Sequence, residues 1–257
     1  MPERKNWSRE ELIVAFNLYC KIPFSKINYK HPLIQKVALS INRTPSAIAW
    51  KLVNFASLDP SLKAREIKGA SNSSKLDKII FDEFYNDWNS LAYESEMLLS
   101  RFLNQPIEAK IEEEAMDFTF KEGKMKESLV KVRVNQAFFR SAILASYDNK
   151  CCITGIGISD FLIASHIIPW AKDEKNRLNP ENGVCLNSIH DKAFDKGYIT
   201  IDANFKVKIS KSINELKHDE NIKRFFLDFE NKAIDLPKRF LPNKDFLKFH
   251  QENIFKH

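Results

Sequence analysis

The sequence predicts an α+β chain in two parts. The first is mainly helical and contains a helix-turn-helix-like module; the second has a short strand pair followed by a helix. Three observations predict this. Helix-start signals and helical spacing of apolar residues recur through residues 8–102. From Cys151 onward, apolar runs rich in β-branched residues alternate with turns. Residues 164–197 hold two histidines, His166 and His190, around an Asn182-Gly183 turn, and patterning puts these on a strand end, a hairpin loop and a helix.

Ser8, with Glu11 three residues on, forms a capping box before a run in which Leu12, Phe16 and Tyr19 recur at helical spacing, ending near Pro23. A second helix begins after Pro32, with Leu33, Val37 and Ile41 on one face, and stops at the polar turn Asn42-Arg43. Thr44 is an N-cap and Pro45 a first helical residue, so a third helix follows, burying Ile48, Leu52 and Phe55. Two helices joined by a short turn form a helix-turn-helix candidate. Its third helix is expected to present Ser46, Ala47, Trp50, Lys51 and Asn54 outward, side chains suited to a DNA groove.

Residues 69–74 (GASNSS) are a junction. Residues 75–102, with Ile80, Phe84, Trp88 and Leu91 at helical spacing, are an amphipathic spacer helix. Next come the acids Glu112, Glu113 and Glu114, then a basic cluster at 121–140 (Lys121, Lys124, Lys126, Lys131, Arg133, Arg140) leading into a helix that buries Phe138, Phe139, Ile143 and Leu144. The expected division is 1–70 for the recognition module, 71–105 for the spacer and 106–257 for the remaining domain.

The formal net charge is +6, and hydrophobic residues make up 44% of the chain, which excludes a disordered protein. No apolar run reaches the roughly 18 residues of a membrane span, and no signal peptide opens the chain, so no membrane partner is expected. The cysteines Cys20, Cys151, Cys152 and Cys185 form no C-x-x-C pair, and a reducing cytoplasm is the expected location.

After a turn at Thr154-Gly155 comes a strand pair with His166 at or near the end of its second strand; the segment VCLNSIHDKAFDKG then closes a hairpin and opens a helix stopped by Gly197. On that helix Asn187, His190 and Asp191 stand at i, i+3 and i+4 and share a face able to hold a cation. A helix packed across the hairpin opposite His166 is the ββα-metal arrangement. Phe161, Ile163, Trp170, Leu186 and Phe194 are the expected core around it.

The order ASHI, NG, then H-D-x-A-F-D-x-G resembles the HNH endonuclease family, specifically its restriction-type branch, over about residues 121–202, and residues 236–250 are similar to that branch too. The resemblance implies phosphodiester hydrolysis on double-stranded DNA, with His166 as general base, Asn182 positioning the loop, and His190 as ligand to one divalent metal, Mg or Mn. Ser165 stands where many relatives carry an acidic or histidine ligand. The second protein ligand is therefore open among Asn187, Asp191 and Asp195. Paired cysteine knuckles are missing, so no structural zinc is expected. Lys131, Arg133 and Arg140 are expected to hold phosphates. Double-strand cleavage by a one-strand site implies a homodimer. The functional expectation is a restriction endonuclease that reads a sequence or a base modification; the alternatives are a DNA-binding regulator with an inactive HNH fold and a toxin-like nonspecific nuclease.

Overall fold

The computed structural model describes residues 6–66, 73–106 and 124–257, with side chains from 130 in the last stretch. Most of the GASNSS junction, the acids Glu112 to Glu114 and Lys121 lie outside the described residues, as do the side chains of Lys124 and Lys126. The chain divides into two compact units, Met1–Ser141 and Ala142–His257.

The first unit is helical. Helix α1 (Arg9–Lys21) starts on the Ser8 capping box: Ser8 Oγ accepts from the Glu11 amide at 3.2 Å, and the Glu11 carboxylate accepts from the Ser8 amide at 2.9 Å. Every residue from Glu11 to Cys20 is buried, because neighbouring helices pack around α1. Helix α2 (Pro32–Ser40) buries Ile34, Val37 and Ala38. The left-handed residue Asn42, φ 52°, turns the chain into α3 (Pro45–Leu58), capped by Thr44. Ile48, Leu52 and Phe55 are fully buried there, and Phe16 stacks on Phe55 with ring centroids 5.0 Å apart. The short α4 (Pro60–Ala64) follows.

The expected spacer helix is two helices, α5 (Lys75–Tyr85) and α6 (Trp88–Leu103). Asp87 breaks the run by accepting the Ser90 amide at 3.0 Å and capping α6. Both helices pack on α1: Phe16 meets Phe81 at 5.2 Å and Trp88 at 6.0 Å, and the Asn17 amide donates to Ser95 and Glu96 at 2.7 and 2.6 Å.

Helix α7 (Lys124–Ser146) carries the chain across the division between units. In the second unit, β1 (Leu162–His166) and β2 (Gly183–Asn187) pair antiparallel, with His166 opposite Gly183. β2 runs directly into α8 (Ser188–Asp195), which packs on both strands. A second hairpin, β3 (Ile199–Ile201) with β4 (Val207–Ile209), follows. Two short helices come next, α9 (Lys211–Asn214) and α10 (Glu220–Phe225). Helix α11 (Lys244–Asn253) packs on β3.

Leu186 and Phe194 lie in the core of this unit, but three other expected core residues do not. Phe161 is 52% exposed because it belongs to the 3-10 turn ahead of β1, and Ile163 and Trp170 are half-buried. Among the described residues no helix is long and apolar enough to cross a membrane.

Candidate active site

His166 ends β1, and its ring is fixed by backbone. Nε2 donates to the Arg177 carbonyl at 2.8 Å; a carbonyl can only accept, so the proton sits on Nε2 and Nδ1 carries the lone pair. The loop supplying that carbonyl is itself held. Arg177 Nε donates to the Trp170 carbonyl at 2.8 Å, its guanidinium lies 5.3 Å from the Trp170 ring centroid, and Trp170 meets His166 edge-on at 5.5 Å.

Asn182, fully buried, ties the same loop from the other end. Its Oδ1 accepts the Ile168 amide at 2.8 Å, and its Nδ2 donates to the carbonyls of Ile168 and Asn176 at 3.2 and 3.1 Å. The loop between the two strands thus carries three side-chain bonds from one amide.

Helix α8 presents two carboxylates toward this strand end. Asp191 and Asp195, one turn apart, share a face. The Ser165 hydroxyl, buried, faces Asp191 and lowers its pKa. Asp195 acts electrostatically on His166. Burial raises the pKa of both carboxyls, and Asp195 raises Asp191 further. Burial also lowers His166, with the Arg177 carbonyl and Asp195 offsetting part of that effect. The histidine is neutral and the acids are crowded.

His190 belongs to a different network. The Asn187 amide caps α8 through Oδ1, which accepts the amides of Ile189 and His190 at 3.1 and 3.0 Å. Its Nδ2 lies 3.0 Å from His190 Nδ1 and 3.3 Å from Thr154 Oγ1, and it reaches toward Cys151 Sγ at 3.6 Å. With Nδ1 accepting from Asn187, Nε2 bears the proton and donates to the Phe225 carbonyl at 2.7 Å. Phe226 and Phe229 meet the ring edge-on at 5.7 and 5.5 Å. Burial pushes the Cys151 thiol up, but the neighbouring His190 ring, Thr154 and backbone hydrogen bonds outweigh it and bring its pKa to about 7.

Residues 151–202 match the family model of HNH endonucleases. These residues are an HNH endonuclease domain. The matched stretch contains Cys151, both strands of the first hairpin, the Asn182 loop, α8 and β3. No curated protein matches the chain.

Within the HNH domain the structure separates residues that sequence spacing grouped. Asn187 and His190 spend their polar atoms on the helix cap, Thr154 and Phe225, while Asp191 and Asp195 turn toward Ser165 and His166. Among the described residues, no three His, Cys, Asp or Glu side chains form a ready cage for a metal ion. Two oxygen donors nevertheless fit a hard divalent cation such as Mg, which is commonly held by one or two carboxylates with water and phosphate oxygens completing its shell. The residues fit such a cation: Asp191 and Asp195 offer carboxylate oxygens on the face of α8 turned toward His166, next to the buried Ser165 hydroxyl. The Asp191–Asp195 spacing was visible in HDKAFD. The Cys151–Asn187 contact, 36 residues apart, had no local signal.

The residues expected to contact DNA divide as well. Ser46 and Trp50 are exposed on α3, and Asn54 is half-buried. Lys51 is not outward at all: it is buried, with Nζ 2.9 Å from both Asp77 oxygens and 5.0 Å from the Trp7 ring centroid. An acid on α5 draws it inward. On α7, Lys131 is exposed with its ammonium 5.2 Å from the Tyr93 ring centroid, and Arg133 and Arg140 are half-buried.

Proposed function

We propose that the protein is a metal-dependent DNA endonuclease that hydrolyses phosphodiester bonds with His166 as general base. The observation carrying this reading is the locked His166 tautomer beside two carboxylates on α8. Nδ1 accepts a proton from the attacking water, and the Arg177 carbonyl holds the ring so that this nitrogen stays the basic one. A half-buried neutral imidazole is ready for that transfer at neutral pH.

Asp191 and Asp195 hold one divalent cation, Mg or Mn. When bound, it supplies neutralisation of charge on the scissile phosphate and the departing 3′ oxygen. Asn182 positions the loop that delivers the Arg177 carbonyl. His190 and Asn187 set the position of α8, and thereby of both carboxylates, rather than binding the cation.

The finer reading is a restriction endonuclease whose N-terminal helices, residues 1–70 braced by α5 and α6, select a sequence or a base modification. Lys131, Arg133 and Arg140 add sequence-independent phosphate contacts. A homodimer brings two sites to the two strands of a duplex. Ser165, in place of an acidic or histidine ligand, is the observation favouring the alternative of a regulator that binds DNA without cutting.

The test is incubation of the purified protein with unmodified and modified plasmids, with Mg²⁺, with Mn²⁺ and with chelator. Cation-dependent nicking that differs between plasmids supports the full reading. Equal cleavage of every plasmid leaves a nonspecific nuclease, and binding without nicking leaves the regulator.

A further inference from the structure

The first unit carries a pocket that the hydrolytic chemistry does not use. From residue 12 to residue 58 the chain contains Lys21, Lys26, Lys30, Lys36, Arg43 and Lys51, and no Asp or Glu. Three of these cations are neutralised by acids from elsewhere: Lys21 by Glu96, Arg43 by Glu11 and Lys51 by Asp77. Lys26, Lys30 and Lys36 are exposed and have no ion pair among the described residues.

Lys26 and Lys30 bracket in sequence the segment 27–29, which faces α3 across a cavity of about 230 Å³. Its lining includes Ile27, Asn28, Tyr29, Ser46, Trp50 and Val53. Trp50 is 65% exposed and Tyr29 53%, and the Lys30 ammonium lies 5.8 Å from the Tyr29 ring centroid. Two large aromatic side chains left open to water in one concavity contribute little to the core of a folded monomer. A cationic ligand, the other natural guest of an aromatic pocket, is disfavoured by the lysines and finds no acid in this stretch to pair with.

We propose that this pocket takes one unstacked nucleobase of a DNA strand, with Tyr29 and Trp50 stacking on the base, Asn28 and Ser46 hydrogen-bonding its edge, and Lys26 and Lys30 holding the adjacent phosphates. The choice of DNA rests on the endonuclease reading; the aromatic and charge complementarity do not. Stacking on aromatic side chains tolerates any base and requires the base to leave the duplex stack, so the pocket favours bulged or unpaired positions over perfect duplex. A side chain inserted into an intact groove would show no such preference.

The experiment measures binding of the full chain, in chelator to prevent cleavage, to three labelled oligonucleotides of mixed sequence: a perfect duplex, the same duplex with one central bulged nucleotide, and the single strand. The expected result is binding of the bulged duplex about tenfold or more tighter than the perfect one. Trp50→Ala and Tyr29→Ala should each erase most of that preference with little change in melting temperature, since both rings are exposed. Lys26→Ala with Lys30→Ala should weaken all three probes and reduce the salt slope by up to about 2. Equal affinity for bulged and perfect duplex overturns the proposal, as does a preference that survives both aromatic substitutions. Plasmid nicking in Mg²⁺ is read separately: bulge preference without nicking sinks the hydrolytic reading and leaves the pocket standing, whereas nicking without bulge preference sinks the pocket alone.

Discussion

His190 and Asp191 are adjacent in sequence and serve different sides of α8. The His190 ring donates to the Phe225 carbonyl at 2.7 Å and sits between two phenylalanines, while the Asp191 carboxyl turns toward Ser165 and the strand that ends at His166. Successive helix residues differ by about 100° in direction, so one of the pair can belong to the reacting face and the other to the packing face.

Replacing Asp191 with Asn should therefore cut Mg²⁺-dependent nicking at least tenfold while leaving the melting temperature unchanged or higher, because a crowded, half-buried carboxylate is removed. Thermal melts and metal titrations of nicking check this. Wild-type cation dependence in that variant would remove Asp191 from the site.

His190→Ala should behave in the opposite way, with folding as its first loss. It deprives the Asn187 amide and the Phe225 carbonyl of a buried partner, each worth about 1–3 kcal/mol when left unsatisfied. Urea unfolding measures the cost. Full stability with a selective loss of metal affinity would return His190 to the ligand role.

His166→Ala should lower nicking by roughly 10²-fold or more, the scale of losing a general base, while duplex binding in chelator is retained. Undiminished cleavage would end the assignment.

Stability should fall on the acid side through His250. Burial pushes this residue to a pKa of about 4, with the Phe194 carbonyl only partly opposing it; its ring stacks on Phe194 at 3.7 Å and its Nδ1 lies 2.8 Å from Thr200 Oγ1. The unfolded chain, with a histidine near 6.5, binds the proton first, so the contribution is complete above about pH 6.5 and is lost as pH falls toward 4, amounting to roughly 3 kcal/mol. Denaturant unfolding across that window should show the slope, and His250→Gln should remove it. An unchanged slope in that variant assigns the acid sensitivity to other groups.

Gly197→Ala should destabilise the second unit by about 2 kcal/mol or more. Gly197 closes α8 at φ 72°, and a Cβ there would stand 2.0 Å from the Ile254 carbonyl oxygen, which belongs to backbone and cannot swing aside. A melting temperature within 1 °C of wild type, by the roughly 2–4 °C per kcal/mol scale for domains of this size, would contradict it.

Much of the fold was legible locally. Ser8 with Glu11, Thr44 with Pro45, and Gly197 mark helix ends through bonds or dihedrals that span only a few residues, and the structure has elements starting and stopping there. Residues 75–102 were less legible, because the capping Asp87 lies inside a continuous apolar period that by itself reads as one helix. Phe161 was placed in the core on hydrophobicity alone, although it sits in a turn before its strand begins.

By itself, then, the sequence determined the helix caps and the identity of the HNH stretch, since each depends on residues close together along the chain, whereas His166, expected on the second strand of its pair, ends the first, which pairs across the Asn182 loop. Only the tertiary structure decided which side chains turn inward and which partners they meet. Lys51 was drawn inward by Asp77, 26 residues away, and His190 was claimed by the carbonyl of Phe225, 35 residues away. Helical spacing restricts a side chain to an arc of the surface, but the partner that fixes its direction comes from a distant segment.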